Sequence, residues 1–306
     1  MLKYFIRRLI QLIPTFLGIY TFTFFLMRVL PGDAAKYLLG FRGNPAALAA
    51  LRASMHLDEP WLTQYVTFMV NILRGDLGNS YITGEPVTQI LARAIPITLQ
   101  LALAATVLSV GIGVPFGILA ALQKDRLFDN VTRFVVVVGA SIPTFWLGIQ
   151  LQVLFGLQLK ILPVSGPGFD QHLILPGFAL AVTTIALMTR MTRSSLLEEL
   201  SQDYVRTAHS KGLRARYVIW VHALRNALLP IVTVWGLSLA DLLTGALLVE
   251  LIFNWYGLGR LLVQAITTRD YPLLQGNMIL LAVVYAGANL FVDILYMLID
   301  PRIRYD

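Results

Sequence analysis

Hydrophobic positions in this chain fall into long continuous runs, not into the alternating stripe of a half-buried strand. The runs at 9–30, 98–122, 134–158, 173–189, 230–251 and 278–299 contain few charges. Each is close to the roughly 20 residues a helix needs to cross a bilayer. A membrane β-barrel would instead show short alternating segments. The pattern therefore predicts an all-α integral membrane protein with six transmembrane helices. The first run follows Lys3, Arg7 and Arg8 and is closed by Pro31-Gly32. No small-residue cleavage site follows it, so it is expected to stay as an anchor and not leave as a signal peptide.

Two stretches depart from the pattern. The first, 33–95, is polar to amphipathic. Asn44-Pro45 reads as a helix start, a capping residue before a proline at the first helical position. Trp61, Tyr65, Phe68 and Ile72 form a stripe ended by Gly75, and Thr63, Gln64, Thr67 and Asn71 interrupt it. That segment is too short and polar for a span, so an extracytoplasmic amphipathic helix is expected.

The second stretch, about 190–229, contains DYVRTAHSKGL at 203–213 and RARYVIWVHALRNALLP at 214–230. Leu196, Leu200, Tyr204 and Ala208 form an i, i+4 stripe, opposite Glu198, Glu199, Gln202, Arg206 and His209. Gly212 should end this helix, with Lys211 in its last turn where a cation suits the helix dipole. A second helical pattern then places Val218, Val221 and Leu224 on one side, with Arg214, Arg216 and Arg225 off it. The expectation is a compact knob of two short helices bent about a glycine. By pattern alone it could dock into another protein or lie on anionic lipid headgroups.

Composition agrees with the membrane reading: 57% of residues are apolar, 13% are charged, and the mean hydropathy is +0.70. A soluble domain carries roughly a quarter charged residues. The absence of cysteine excludes disulfides and thiolate metal sites. A net charge of +7 would suggest nucleic acid in a soluble chain, but here its distribution carries the information. Lys3, Arg7, Arg8, Lys124, Arg126, Arg133, Arg190, Arg193, Arg206, Lys211, Arg214, Arg216, Arg225, Arg302 and Arg304 all fall on one side of a six-span topology. The positive-inside rule makes that side cytoplasmic, with both termini and the knob on it. No nucleic-acid partner is expected.

Motifs for chemistry are missing. There is no G-x-x-x-x-G-K-[ST], so the chain lacks a nucleotide site of that kind. Gly257-Leu258-Gly259-Arg260 reads as a turn. His56, His172, His209 and His222 are scattered, and neither H-E-x-x-H nor G-x-S-x-G occurs, so no catalytic, metal or cofactor residues are assigned. Charges inside spans are expensive, at least ~2.5–3.5 kcal/mol at mid-bilayer. Asp241, and Asp293 one turn from Asn289, are therefore candidates for a polar pathway or for a bond that locks spans together. No mid-span basic partner accompanies them, which gives the proton relay of a secondary transporter little support. Pro115 and Pro143, with Gly111, Gly113, Gly139 and Gly148, can be kinks or close-packing points, and packing is the favoured reading.

DYVRTAHSKGL…ALRNALLP resembles the EAA loop of ABC-importer permeases in the form used by the peptide and nickel branch. LPGDAA at Leu30, HLDEPW at His56, LRGDLGNSYITGEPV at Leu73, SIPTFWLG at Ser141 and LPVSG at Leu162 are also similar to that branch. So are RMTRSS at Arg190, FNWYGLGRLL at Phe253, RDYP at Arg269 and DPRIRY at Asp300, and together they follow the family order over nearly the whole chain. Departures are Ala34 and Tyr256, where proline is common, and His209-Ser210, where Arg-Ala is common. The resemblance implies a type I ABC importer permease fold in a single permease domain, 1–306. Its parts would be the first segment and span 1–30, an extracytoplasmic region 31–97, a five-span core 98–299 and a cytoplasmic tail 300–306. It further implies that the knob seats in a groove of an ATPase through Tyr204, Arg206, Thr207, Ala208, Lys211, Gly212 and Leu213. Arg206, Thr207 and Ala208 take the Glu-Ala-Ala positions and Gly212 takes the glycine. The implied function is the transmembrane subunit of an ATP-driven importer for di- or oligopeptides in a prokaryotic inner membrane. Nickel, metallophores or glutathione are alternative cargoes. Implied partners are a homologous second permease, two ATPase subunits that bind the ATP, an extracytoplasmic solute-binding protein and the lipid bilayer. This chain would bind no cofactor and perform no chemistry. A stand-alone secondary transporter or channel is the more distant alternative.

Overall fold

A computed structural model describes residues 2–29, 32–39, 44–166, 168 and 170–299, without the side chains at 2–9, 12, 240, 293 and 295–299. The expected tail, 300–306, lies outside the described residues. Helices occupy every apolar run: α1 Leu2–Val29, α5 Val87–Leu122, α6 Leu127–Ser141, α7 Thr144–Leu151, α8 Ile174–Leu200, α11 Leu224–Ile252 and α13 Tyr271–Ile299. Shorter helices lie between them: α2 Ala34–Leu39, α3 Pro45–Ser54, α4 Trp61–Leu73, α9 Asp203–Ser210, α10 Ala215–Tyr217 and α12 Leu258–Thr268. Among the described residues no strand forms beyond an isolated antiparallel bridge, Asn79 with Pro86.

Among the described residues four helical stretches are long and apolar enough to cross a membrane: Val87–Leu122, Gln171–Leu200, Ala215–Leu239 and Tyr271–Val292. The expected third span is not a straight rod. Its two arms, Leu127–Ser141 and Thr144–Gln158, meet at 102°. The break falls on Ile142-Pro143, because the residue before a proline is pushed out of the α region. Ile142 has ψ 124°, and Pro143, with ψ 130°, is the N-cap of α7. Pro143 is thus a bend, contrary to the packing reading. A shorter apolar helix, Ile13–Val29, stands where the first span is expected.

The chain divides into two compact units, Met1–Thr98 with Tyr256–Ala286, and Leu99–Trp255 with Gly287–Asp306. In the first unit α4 lies along α1. The Tyr20 ring sits 4.8 Å from Tyr65 and stacks 5.9 Å from Phe68, and its hydroxyl donates to the Tyr65 carbonyl at 2.7 Å. The predicted stripe on α4 is therefore its packing face. Asn44 caps α3 through the Ala46 N–H at 3.0 Å, as expected. Met27, Ala34, Val87, Leu91, Leu258, Leu261, Ala265 and Leu274 form the core of this unit. Buried Asp270 accepts from the Ser80 hydroxyl and the Tyr81 and Leu273 N–H groups, which anchors the start of α13. Burial pushes the Tyr81 phenol up to about 12. Gly257-Leu258-Gly259-Arg260 is not a free turn. Gly257 caps α12 and the next three residues are its first turn, with the Leu258 N–H held by Thr98 Oγ1 at 2.9 Å. Arg260 lies over the Tyr256 ring at 3.8 Å.

In the second unit α8 is central and packs on α6, α7 and α11. On its α5 side a Cβ at Gly113 would stand 2.6 Å from Met188 Cβ, and one at Gly117 would stand 2.5 Å from Thr192 Cβ. Two glycines four residues apart let two membrane helices approach closely. Gly113 is the packing point the sequence suggests, Gly117 is its partner, and Pro115 sits within the unbroken helix between them.

Candidate functional site: the basic knob between α8 and α11

The knob starts with a break that the sequence pattern does not show. Helix α8 runs past Arg190 and Arg193 to Leu200, placing both arginines in the helix and not in a loop. Ser201 and Gln202 then turn the chain, and α9 begins at Asp203. The stripe of Leu196, Leu200, Tyr204 and Ala208 is therefore split between two helices. Leu196 and Ala208 are buried, while Tyr204 is 37% exposed and Val205 takes the inward position instead. Val205 and Ala208 pack with Ile118 and Ala121 of α5, Leu196 of α8, Val218 and Ala223 just before α11, and Leu224 and Ala227 at its start.

Gly212 ends α9 as expected, at φ +78°. The Leu213 N–H returns to the Ala208 carbonyl at 3.3 Å, and the Gly212 N–H to the His209 carbonyl at 2.9 Å. This pair of bonds is the Schellman arrangement, which takes up the last carbonyls of a helix and needs a left-handed residue at the Gly212 position. The helical turn of Ala215–Tyr217 follows, then a π-helical segment, Val218–Ala223. Bonding i to i+5 adds a residue to the turn and rotates what comes after it. Val221, expected inside, is 40% exposed, and Ala223 is fully buried in its place.

Of the seven residues assigned to coupling, Ala208 faces the core. Arg206, Thr207, Lys211, Gly212 and Leu213 are exposed, and Tyr204 lies at the edge. Thr207 and Ser210 turn their hydroxyls back onto the carbonyls of Asp203 and Arg206. That leaves the Arg206 and Lys211 cations as the forward chemistry of the helix, beside Arg214 and Arg216. Arg206 makes a 3.5 Å contact with Asp203, but both are so exposed that it fixes little. Tyr204 joins three helices: its hydroxyl donates to Glu199 Oε2 of α8 at 2.5 Å and accepts from Asn226 Nδ2 of α11 at 3.2 Å. Burial, and then the bond to Glu199, raise the Tyr204 phenol. Nothing in the spacing pointed to Asn226. Arg193, counted among the basic residues of the knob, is engaged elsewhere. Its guanidinium forks onto fully buried Asp129 of α6, Nε to Oδ1 at 2.5 Å and the second nitrogen to Oδ2 at 2.8 Å.

The intramembrane candidates separate. Asp241 of α11 is exposed on this chain, and no bond locks it to a neighbouring span among the described residues. Asn289 is half-buried, and the side chain of Asp293 lies outside the described residues. Among the described residues no cluster of His, Asp and Glu could hold a metal.

Two family profiles match this chain. "Binding-protein-dependent transport system inner membrane component" covers residues 113–305, and its N-terminal companion profile covers residues 1–102. The chain is 39% identical over 337 residues to the dipeptide transport system permease protein DppB of Escherichia coli K12, covering 100% of this chain and 99% of that protein. It is 41% identical over 334 residues to the di/tripeptide transport system permease protein DppB of Pseudomonas aeruginosa UCBPP-PA14, covering 100% and 99%. Its fold is similar to that of a chain in a structure of the MetNI methionine ABC transporter in inward-facing conformations. The TM-score is 0.59 at 18% identity, over 69% of this chain and 97% of that one. An all-helical membrane architecture with a helical knob between two spans, matched by profiles along almost its whole length, makes this chain a member of the inner-membrane components of binding-protein-dependent transport systems.

Proposed function

We propose that this chain is the transmembrane subunit of an ATP-driven importer of di- and oligopeptides, lining half of the translocation path. The observation that carries the reading is the construction of the knob. Helix α9 presents Arg206, Thr207 and Lys211 outward, while Val205 and Ala208 fasten it to α5, α8 and the start of α11. A segment exposed on one face and packed on the other passes force from a partner into the spans. The names of the dipeptide and di/tripeptide permeases that are 39% and 41% identical support peptides as the cargo.

In this reading the knob and both termini are cytoplasmic, and 31–97 faces the outside. A homologous second permease completes the path, two ATPases seat on the two knobs, and a solute-binding protein delivers cargo from outside. ATP draws the ATPases together and presses on α9. The shared core with α5, α8 and α11 converts that push into a change between inward-open and outward-open arrangements. The chain contributes no catalytic group. The residues that touch the ATPase are Arg206, Thr207, Lys211 and Leu213, positioned by Tyr204, Ala208 and Gly212.

The test is Gly212→Val in the reconstituted transporter. A β-branched residue in the left-handed region is strained by ~1–2 kcal/mol or more, so the turn should open. The complex is expected to remain in the membrane while cargo-stimulated ATP hydrolysis and peptide uptake both fall. Normal uptake with full stimulation would remove the coupling role of this turn.

A further inference from the structure

Helix α6 is attached to the rest of its unit in an unusual way. Its apolar residues Val131, Phe134, Val135, Val137 and Val138 are all exposed on this chain, and its buried residues are the polar Asp129 and Thr132. Where apolar packing would be expected, an apolar cavity of about 270 Å³ lies between α5, α6 and α8, lined among others by Phe116, Val135, Val182 and Ile185. At one end of that cavity Asp129 is completely enclosed. It receives both prongs of the Arg193 guanidinium and the Asp125 N–H at 3.0 Å, with Arg133 3.8 Å away. A two-pronged guanidinium–carboxylate pair fixes direction as well as distance, which a point-charge ammonium would not. The other end of α6 is the bend at Ile142-Pro143. Besides its packing along α8, the helix is thus held at one end by an ionic pair and finishes at an elbow. Arg193 lies two turns before the end of α8, the helix that leads into α9.

We infer that Asp129 and Arg193 are positioning residues that pin α6 to the knob-bearing end of α8, so that α6, α8 and α9 move as one body during the transport cycle. The inference rests on the coupling role proposed for the knob, and it adds α6 to the moving part. An ionic pin suits this place because an apolar contact can slide, whereas a two-pronged fork must break both of its bonds before it can slip.

The experiment uses the complete transporter, with this chain, its second permease, its ATPases and its binding protein. The chain has no native cysteine, so Leu127→Cys and Glu198→Cys place two spin labels uniquely within this subunit, one on each side of the pin. The label distance is expected to be the same in the nucleotide-free and ATP-bound complexes, and a shift beyond the spread of either distribution would overturn the inference. The paired change Asp129→Leu with Arg193→Met removes both charges together and leaves none stranded. It is expected to retain the ATPases on purification and to hydrolyse ATP, but to import about tenfold less peptide per ATP, within the usual span of coupling between sites. Wild-type uptake per ATP in that variant would overturn the pin. If the paired variant does not assemble, the label distances in the otherwise native chain decide alone. Failure of the underlying reading looks different: the unaltered complex would then show no cargo-dependent ATP hydrolysis, whatever the label distances.

Discussion

The Gly212 backbone lies at φ +78°, and a Cβ built there meets no atom within 4 Å. The demand for glycine is therefore conformational and not steric. Asparagine tolerates the left-handed region better than other residues with a side chain. Gly212→Asn is expected to keep most cargo-stimulated ATP hydrolysis and uptake, whereas Gly212→Val loses them. Equal loss in both would mean that the lack of a side chain, and not the turn, is what the site requires. This residue was legible in the sequence because a glycine following a basic last turn is a local signal. Val205 was not, because its burial depends on the break at Ser201-Gln202, and nothing in an i, i+4 stripe announces a break. Asn226 and the Asp129–Arg193 pair were not legible either. Their partners lie 22 and 64 positions away, and separation in sequence carries no distance.

Among the elements, apolar runs located the long helices because a bilayer demands uninterrupted stretches of apolar residues. Helix shape was harder to read. A proline between two apolar segments is equally consistent with a kink and with a packed straight helix, and the extended backbone at Ile142-Pro143 is what marks the bend. The π-helical segment at Val218–Ala223 has no composition of its own, and a fixed 3.6-residue period assigns Val221 to the wrong face. Helix pairing can be tested at Gly117. A methyl there would stand 2.5 Å from Thr192 Cβ and 2.7 Å from the Thr189 carbonyl oxygen. Gly117→Ala should push α5 from α8 at a cost of about 1–3 kcal/mol, the usual range for overpacking. The expected result is a lower thermal midpoint of the purified complex. Gly111→Ala, with no atom within 4 Å of its Cβ, is expected to leave the midpoint unchanged or raise it slightly. Similar midpoints for the two variants would show that α5 and α8 part easily at this point.

For the whole molecule, the separation into two compact units was only partly visible in the sequence. The polar stretch 33–95 stood out, but its partner 256–286 comes from the far end of the chain, where apolar residues hide the association. In the proposed transporter the first unit has the segments that meet the binding protein, and among them α3 contains no buried residue, its Arg52 pairing with Asp33 and Asp58. Replacing residues 45–51 by a glycine–serine linker, which keeps Arg52 and its pairs with Asp33 and Asp58, should lower the stimulation of ATP hydrolysis by loaded binding protein and leave unstimulated hydrolysis as it was. An unchanged response, measured by titrating loaded binding protein onto the reconstituted complex, would remove this role from α3. The elbow between α6 and α7 carries one more implication. A helix leaves the oxygens of its final turn without intrahelical donors, and the Ser141 hydroxyl turns back to the earlier Val137 carbonyl, at 2.8 Å, and not to them. Acyl chains offer nothing to those oxygens, so the corner cannot be bathed in lipid. In the proposed transporter it is expected to face a neighbouring polypeptide or a column of water.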